Sequence, residues 1–301
     1  MTRASETRLN RTGQMIALLC LWCGASLAAA AAAPQIRSLI DIPYARVDGK
    51  ALLLDLHLPA GVERPPLVIY LHGGAWRLGD KTEAPPFLVE RGYAVASLDF
   101  RSSQDARFPA NVHDIKAGIR FLRAKAAEYG YRADRIAVSG SSSGGHLAAL
   151  VGATNGHPEL EGTVGEHLDV SSSVQSVVSW VGAYNLATII AHTPPSGLAL
   201  RVPALQLLLG GLPDKVPELT RLASPVAHVD RADPPVLILH GDQDTNIPVI
   251  QALELEGAYR RAGIVAEMVI VKGVGHTARP FFGPGEPAER VIGFLHRTIG
   301  R

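Results

Sequence analysis

The chain has 301 residues, of which 47% are hydrophobic and 19% are charged. A chain of this length and apolar content can bury one sizeable core or two small ones, and we favour one α/β domain. Its 29 Lys and Arg residues almost balance 28 Asp and Glu residues, giving a formal net charge of +1. Because a nucleic-acid-binding protein or one held on an anionic membrane face needs a basic surface, we expect neither kind of partner.

The first 33 residues indicate a secretory signal peptide. Arginines precede an apolar stretch (15–22), which is followed by an alanine run (28–33) that offers small residues for cleavage. The apolar stretch is too short to span a bilayer, which disfavours an uncleaved membrane anchor. We therefore expect cleavage near Ala33 and a secreted or periplasmic protein of residues 34–301. Both cysteines, Cys20 and Cys23, lie in the removed segment, so we expect no disulfide, metal or cofactor in the mature protein.

The remaining residues alternate between strand and helix patterns. Leucines recur at every second position of 52–58, and a turn at 47–50 separates this strand from another at 39–42, which predicts an antiparallel hairpin at a sheet edge. Further strands are predicted at 67–71, 93–98, 136–138, 174–180, 235–240 and 266–271, and helices at 85–91, 111–129, 146–152, 250–262 and 286–299. This order implies a mostly parallel twisted sheet with helices on both faces.

Residues 185–223 interrupt this order. They carry several prolines around leucine-rich pieces, which is typical of short helices inserted between two strands. In an open α/β sheet, ligands bind beyond the carboxyl ends of the strands, so an apolar insertion there would act as a lid. The alternative is a surface excursion with a small cluster of its own.

A nucleophile is predicted at the turn between the strand 136–138 and the helix that follows it. The turn reads Gly-Ser-Ser-Ser-Gly from 140 to 144, and only one frame of it fits G-x-S-x-G, which places Ser142 at the apex. Taken alone, such a pattern is also that of an ordinary Gly/Ser loop. The helix start that follows favours a developing negative charge, so we interpret Ser142 as a nucleophile.

A serine nucleophile needs a base and an acid that orients the base, and for this kind of turn they follow the serine in the order acid, then histidine. We assign the base to His276, in a glycine-flanked loop after a predicted strand, rather than to His240 or His296. For the acid, Asp242 and Asp244 occupy the same loop. Asp244 has more room to turn inward, but the residues alone leave both open.

Oxyanion stabilisation requires N–H donors that are already in place. Ser143 offers one at the helix start, and the loop His-Gly-Gly-Ala-Trp at 72–76 offers the amides of Gly74 and Ala75. We expect His72 to order this loop rather than to transfer protons. Trp76 is a candidate for substrate binding, with packing of the loop as the equal alternative.

Four motifs carry a family resemblance: His-Gly-Gly-Ala-Trp (72–76), Gly-Ser-Ser-Ser-Gly-Gly-His (140–146), His-Gly-Asp-Gln-Asp (240–244) and Gly-Val-Gly-His (273–276). From about Asp41 onward the chain resembles α/β-hydrolases, in particular the secreted esterase and lipase group with feruloyl and acetyl-xylan esterase-like enzymes. The resemblance implies the α/β-hydrolase fold, a triad of Ser142, Asp244 and His276, and oxyanion amides of Gly74, Ala75 and Ser143. Relatives usually have alanine in place of Ser143; since the donor is a backbone N–H, we expect activity to survive this difference.

The predicted function is a secreted serine carboxylesterase that needs no cofactor. Its substrate would be a small-molecule or polysaccharide-linked ester of acetyl, feruloyl or another short acyl group. Two other classes stay open: an amidase, peptidase or arylformamidase with the same triad, and a non-catalytic binding protein on a hydrolase fold. The oligomeric state is not predicted.

Overall fold

The computed structural model describes residues 35–277 and 279–300. The expected signal peptide, residues 1–33, lies outside the described residues. All described residues belong to one compact unit. None of the helices in this part of the chain is both long and apolar enough to cross a bilayer.

The described strands form one sheet of eight. They are β1 (Ile36–Val47), β2 (Lys50–Pro59), β3 (Pro66–Leu71), β4 (Ala94–Leu98), β5 (Arg132–Ser141), β6 (Ser176–Trp180), β7 (Val236–Gly241) and β8 (Ala266–Val271). Their order across the sheet is β1-β2-β4-β3-β5-β6-β7-β8. β2 pairs antiparallel with β1 and with β4, and the other pairs are parallel. The predicted hairpin at one sheet edge is confirmed.

Helices cover both faces of the sheet. They are α1 (Pro86–Glu90), α2 (Ala110–Ala124), α3 (Ala126–Tyr129), α4 (Ser143–Gly152), α5 (Pro158–Glu161), α6 (Ile189–His192), α7 (Pro195–Leu209), α8 (Pro217–Leu222), α9 (Ile250–Ala262), α10 (Arg279–Phe282) and α11 (Glu286–Ile299). Buried side chains of α2, α4 and α9 belong to one apolar cluster, and those of α1 and α11 to the other. This is the architecture that the resemblance implies.

The central strands are apolar on both faces because both faces are covered. In β3, Leu67, Ile69 and Leu71 pack into the cluster with α4, whereas Val68 and Tyr70 pack into the cluster with α11. All five side chains are at most 1% exposed. The unbroken apolar run that predicted this strand is therefore the result of two cores, one on each side of the sheet.

Several predicted elements differ in extent from the structure: β1 extends beyond both ends of 39–42, and α4 begins at Ser143 rather than at 146. The strand predicted at 136–138 runs from Arg132 to Ser141, because polar residues at its ends continue the hydrogen-bonded ladder beyond the apolar run. The helix predicted at 111–129 is two helices that meet at Lys125, whose φ of −93° and ψ of 4° depart from helical values. The apolar spacing continues through this break, so the pattern could not reveal it.

Residues 185–223 contain α6, α7 and α8 and lie between β6 and β7. In α7, Ala204, Leu205, Leu208 and Leu209 are buried in the larger apolar cluster, so the helix packs against the body of the domain. A Cβ at Gly197 would collide with the carbonyl oxygen of Thr245, which shows how closely α7 approaches the loop after β7. The action of this insertion as a lid stays a prediction.

Candidate active site

Ser142 occupies a sharp turn between β5 and α4. Its φ of 56° and ψ of −118° are sparsely populated for a residue with a side chain, and its amide donates to the carbonyl oxygen of Trp180 at 2.9 Å. The glycines on either side are sterically required: a Cβ at Gly140 would collide with Gly144, and one at Gly144 with the carbonyl oxygen of Leu71. The turn therefore presents the Ser142 hydroxyl at the carboxyl edge of the sheet.

The structure brings His276 and Asp244 to Ser142. Ser142 Oγ lies 2.9 Å from His276 Nε2, and His276 Nδ1 lies 2.7 Å from Asp244 Oδ2. The three residues come from the turn after β5, the loop after β8 and the loop after β7. Because parallel strands end at the same edge, their following loops converge there. The Asp244 carboxylate accepts a hydrogen bond from the Nδ1–H group of His276, so Nε2 carries no proton and its lone pair faces the hydroxyl of Ser142.

The acid loop, residues 242–248, fixes the carboxylate of Asp244 in place. Its Oδ1 accepts hydrogen bonds from the amides of Asn246 at 2.9 Å and Ile247 at 2.8 Å. Burial raises the pKa of Asp244, but hydrogen bonds from His240 and His276 outweigh it and hold the pKa well below its usual value. The carboxylate therefore stays ionised. Asp242 instead accepts from the amide of Gly273 at 2.6 Å, which orders the loop that carries His276.

His240 is a contact of Asp244 that the sequence analysis did not assign. Its side chain is fully buried, and its Nε2 lies 2.8 Å from the carbonyl oxygen of Ile247 and 3.3 Å from Asp244 Oδ2. The only sequence signal was its position at the end of a strand, four residues before the acid. His296, the other histidine considered, lies within α11.

The oxyanion loop, residues 72–76, adopts an unusual backbone conformation. Gly74, Ala75 and Trp76 have φ values of 105°, 55° and 62°, and a Cβ at Gly73 would lie 3.5 Å from the Cβ of Ser142. Among the described residues, the amides of Gly74 and Ala75 have no hydrogen-bond acceptor. The Ser143 amide is the first of α4 and has no partner within the helix. These donors are available for an oxyanion beside Ser142.

His72 orders the oxyanion loop. Its Nδ1 lies 2.8 Å from the carbonyl oxygen of Gly73, and its ring stacks on Phe100 with the centroids 4.4 Å apart. The imidazole is 5% exposed. Both contacts fix the backbone just before the amides of Gly74 and Ala75.

Trp76 is 2% exposed, and its contacts are with the protein. Its Nε1 donates to His146 Nδ1 at 2.9 Å, and the guanidinium carbon of Arg201 lies 5.5 Å from its ring centroid. The packing alternative accounts for these contacts, and a contact with substrate stays a prediction. Within the described ranges, no group of three or more His, Cys, Asp or Glu side chains is arranged to hold a metal ion.

His146 links the Trp76 side chain to the insertion. Its Nδ1 accepts from Trp76, so its Nε2 carries the proton and donates to the carbonyl oxygen of Ala223 at 2.7 Å. Burial, together with the charge of Arg201, lowers the pKa of His146 to about 4. The ring is therefore neutral near pH 7, and its two hydrogen bonds require this neutral tautomer.

Acidification should destabilise the protein through His146. The folded pKa lies below the unfolded value of 6.5, so the unfolded chain takes up a proton first and stability is lost as the pH falls from 6.5 toward 4. Between pH 7 and pH 5 this loss is about 2 kcal/mol. Urea unfolding at the two pH values should show a smaller loss in His146→Gln than in the wild type. His113→Gln, at a half-buried surface position, should retain the wild-type difference; equal losses in all three proteins would contradict the assignment.

The profile of the BD-FAE family matches residues 54–259. The chain belongs to the BD-FAE family. A relative of this BD-FAE chain is Esterase LipQ of Mycobacterium tuberculosis, which is 32% identical over 233 residues, covering 74% of the chain and 53% of LipQ. The chain spans about half the length of the curated relatives it matches.

Solved structures resemble the BD-FAE chain over most of its length. A truncated carbohydrate esterase from gut microbiota has a TM-score of 0.77 and 31% identity, covering 88% of this chain and 97% of that one. Est2, a thermophilic esterase of Thermogutta terrifontis solved with butyrate bound, has a TM-score of 0.68 and 26% identity, covering 88% and 94%. The α/β-hydrolase fold and the esterase family predicted from the motifs are confirmed.

Proposed function

We propose that this protein is a carboxylic-ester hydrolase that acts through Ser142, His276 and Asp244 and an acyl-enzyme. The observation that carries the proposal is the continuous pair of hydrogen bonds, 2.9 Å from Ser142 to His276 and 2.7 Å from His276 to Asp244. Names of the relatives support it, since LipQ is an esterase and the gut microbiota protein is a carbohydrate esterase.

The proposed reaction has two stages. His276 Nε2 takes the hydroxyl proton as Ser142 Oγ attacks the ester carbonyl, and it then gives this proton to the departing alcohol. In the second stage, water attacks the acyl carbonyl as the same nitrogen takes its proton, and that proton passes to Ser142 Oγ when the acid departs. Asp244 stays ionised and holds the imidazole in the tautomer that leaves Nε2 free to accept. Acyl transfer of this kind needs no cofactor.

The negative charge that develops on the carbonyl oxygen would be met by three amides. We assign them to Gly74, Ala75 and Ser143, because these N–H groups lie on the two segments that flank Ser142. Donors already in place stabilise the transition state more than the neutral ester. Loss of one such donor typically lowers kcat by about 10²- to 10³-fold.

The proposed substrates are esters of acetyl or other short acyl groups, including acetyl groups on carbohydrates. The butyrate bound to Est2 and the name of the carbohydrate esterase support this class. We expect kcat/KM to be highest for p-nitrophenyl acetate to butyrate and to fall toward the octanoate. Methyl ferulate and acetylated xylan, assayed beside this series, identify the alcohol and acyl groups accepted. Activity confined to long-chain esters would contradict the proposed class.

A second candidate is hydrolysis of amides or formamides by the same triad, because the His-Gly-Gly-Ala-Trp loop also resembles that of arylformamidases. Comparison of p-nitrophenyl acetate with p-nitroacetanilide separates the two classes, and we expect the ester to react faster by orders of magnitude.

A non-catalytic binding protein would not react with a fluorophosphonate, whereas we expect Ser142 to be labelled.

We also propose export of the protein to the periplasm or the medium, based on residues 1–33. Expression of the full chain in a bacterial host should yield a protein whose N-terminus, determined by mass spectrometry, lies near residue 34. An intact N-terminus on the cytoplasmic protein would contradict this proposal.

A further inference from the structure

Arg201 connects the insertion with both loops that form the candidate site. It lies on α7 and is 2% exposed. Its Nη2 donates to the carbonyl oxygen of Asn246 in the acid loop at 3.1 Å. Its guanidinium carbon lies 5.5 Å from the ring centroid of Trp76 in the oxyanion loop. One side chain from outside the triad therefore contacts both loops.

Each of these contacts acts on a part of the catalytic machinery. Asn246 donates its amide to Asp244 Oδ1 at 2.9 Å, so a bond to its carbonyl oxygen steadies the segment that orients the acid. Trp76 directly follows the Gly74 and Ala75 amides, and its indole Nε1 donates to His146 Nδ1 at 2.9 Å. Arg201 thus links the segment that orients Asp244 with the residue that follows the Gly74 and Ala75 amides.

Burial of the Arg201 guanidinium at this position has a cost in folding free energy. Among the described residues, Arg201 Nε has no hydrogen-bond partner, and burial lowers the pKa of Arg201 only to about 10, so the group remains charged at neutral pH. Buried charges with incomplete hydrogen bonding destabilise a fold, and an apolar side chain of similar volume often packs at no loss of stability. The attraction of the Asp244 carboxylate offsets only part of the effect of burial on Arg201, so stability alone does not account for an arginine at this position.

We propose that Arg201 is a positioning residue, whose guanidinium holds the oxyanion loop and the acid loop in the relative arrangement that catalysis requires. The proposal rests on the proposed ester hydrolysis. It assigns the insertion a part in the chemistry, in addition to any covering of the site. Displacement of reacting groups by about 1 Å lowers rates by about 10²-fold. Loss of the contact between Arg201 and either loop should therefore lower kcat.

The test replaces Arg201 with methionine, which has a similar length and no charge. We expect kcat of Arg201→Met on p-nitrophenyl acetate to fall about 10- to 100-fold, by the same factor on the butyrate, with KM within about threefold of the wild type. Its Tm should equal or exceed that of the wild type, because a buried charge has been removed. A purely structural role would instead lower Tm and leave kcat of the folded enzyme unchanged.

Three further variants sharpen the test. Arg201→Lys keeps the charge but not the planar fork, so we expect an intermediate kcat at nearly unchanged Tm. Arg201→Ala should regain activity on addition of millimolar methylguanidinium, which can occupy the vacated space. Leu208→Ala removes buried apolar packing on the same helix but neither the hydrogen bond to Asn246 nor the contact with Trp76 that Arg201 makes, so it should lower Tm and leave kcat unchanged.

The possible outcomes separate the two proposals. Absence of esterase activity in the wild type, assayed in parallel, would contradict the proposed function. With an active wild type, three results would each overturn the role of Arg201: unchanged kcat in both Arg201→Met and Arg201→Lys, an effect on KM alone, or a loss that differs between acetate and butyrate because Arg201 contacts the acyl group.

Discussion

Ser142→Ala is expected to lower kcat for p-nitrophenyl acetate by about 10⁴- to 10⁶-fold. Without the hydroxyl, no acyl-enzyme can form, and only the oxyanion donors and substrate binding contribute to the rate that remains. The fold should not change, because Ser142 holds the turn through its backbone amide, which donates to the carbonyl oxygen of Trp180. Initial rates at substrate saturation, on protein whose circular dichroism matches the wild type, measure the effect.

The neighbouring Ser141 provides a matched control. It lies in the same Gly-Ser-Ser-Ser-Gly turn and is equally half-buried, but it is the last residue of β5, and the hydrogen bond to His276 comes from Ser142. Ser141→Ala should retain kcat within a few-fold and should still be labelled by a fluorophosphonate, whereas Ser142→Ala should not be labelled. Activity of Ser142→Ala near that of the wild type would exclude the proposed mechanism.

Asp244→Asn is expected to lower kcat by about 10⁴-fold. The asparagine amide group can donate to His276 Nδ1, which favours the tautomer with the proton on Nε2, and that nitrogen then cannot accept the proton of Ser142. The Oδ1 contacts with the Asn246 and Ile247 amides can persist, so the loop should keep its conformation. Steady-state kinetics and a crystal structure of the variant measure both effects.

Asp242→Asn is the corresponding control in the same loop. Its Oδ1 accepts from the amide of Gly273, and an asparagine oxygen can accept the same bond, so kcat should stay within a few-fold of the wild type. A loss in Asp242→Asn as large as that in Asp244→Asn would contradict the assignment of the acid.

The strands and helices that frame the site were predictable from periodicity, because a sheet covered on both faces requires unbroken apolar strands. The turn at Ser142 was also predictable, since its glycines stand where a Cβ would collide with backbone. The choice between Asp242 and Asp244 could not be made from the residues, since both follow the same strand. It depends on which carboxylate is turned inward by the amides of Asn246 and Ile247.

Contacts made through tertiary packing could not be predicted. Arg201 lies 125 residues from Trp76 in the sequence, and its position depends on how α7 packs beside the acid loop. His146 accepts from Trp76 across a separation of 70 residues. The apolar sequence around Arg201 does not show which loops its side chain contacts, and the motif that ends at His146 does not show its bond to Trp76. Only the folded chain reveals these contacts.

The left-handed backbone around Ser142 has a consequence for the energetics of turnover. Ala75, Trp76, Ser142 and Val181 all have positive φ, and each such residue costs roughly 1–3 kcal/mol of folding free energy. Water dipoles reorient each time a new charge forms, whereas the amides that we propose for the oxyanion, those of Gly74, Ala75 and Ser143, are oriented once, during folding. Under this proposal, the cost of orienting the dipoles is a permanent reduction of the protein's stability rather than part of the barrier in every catalytic cycle.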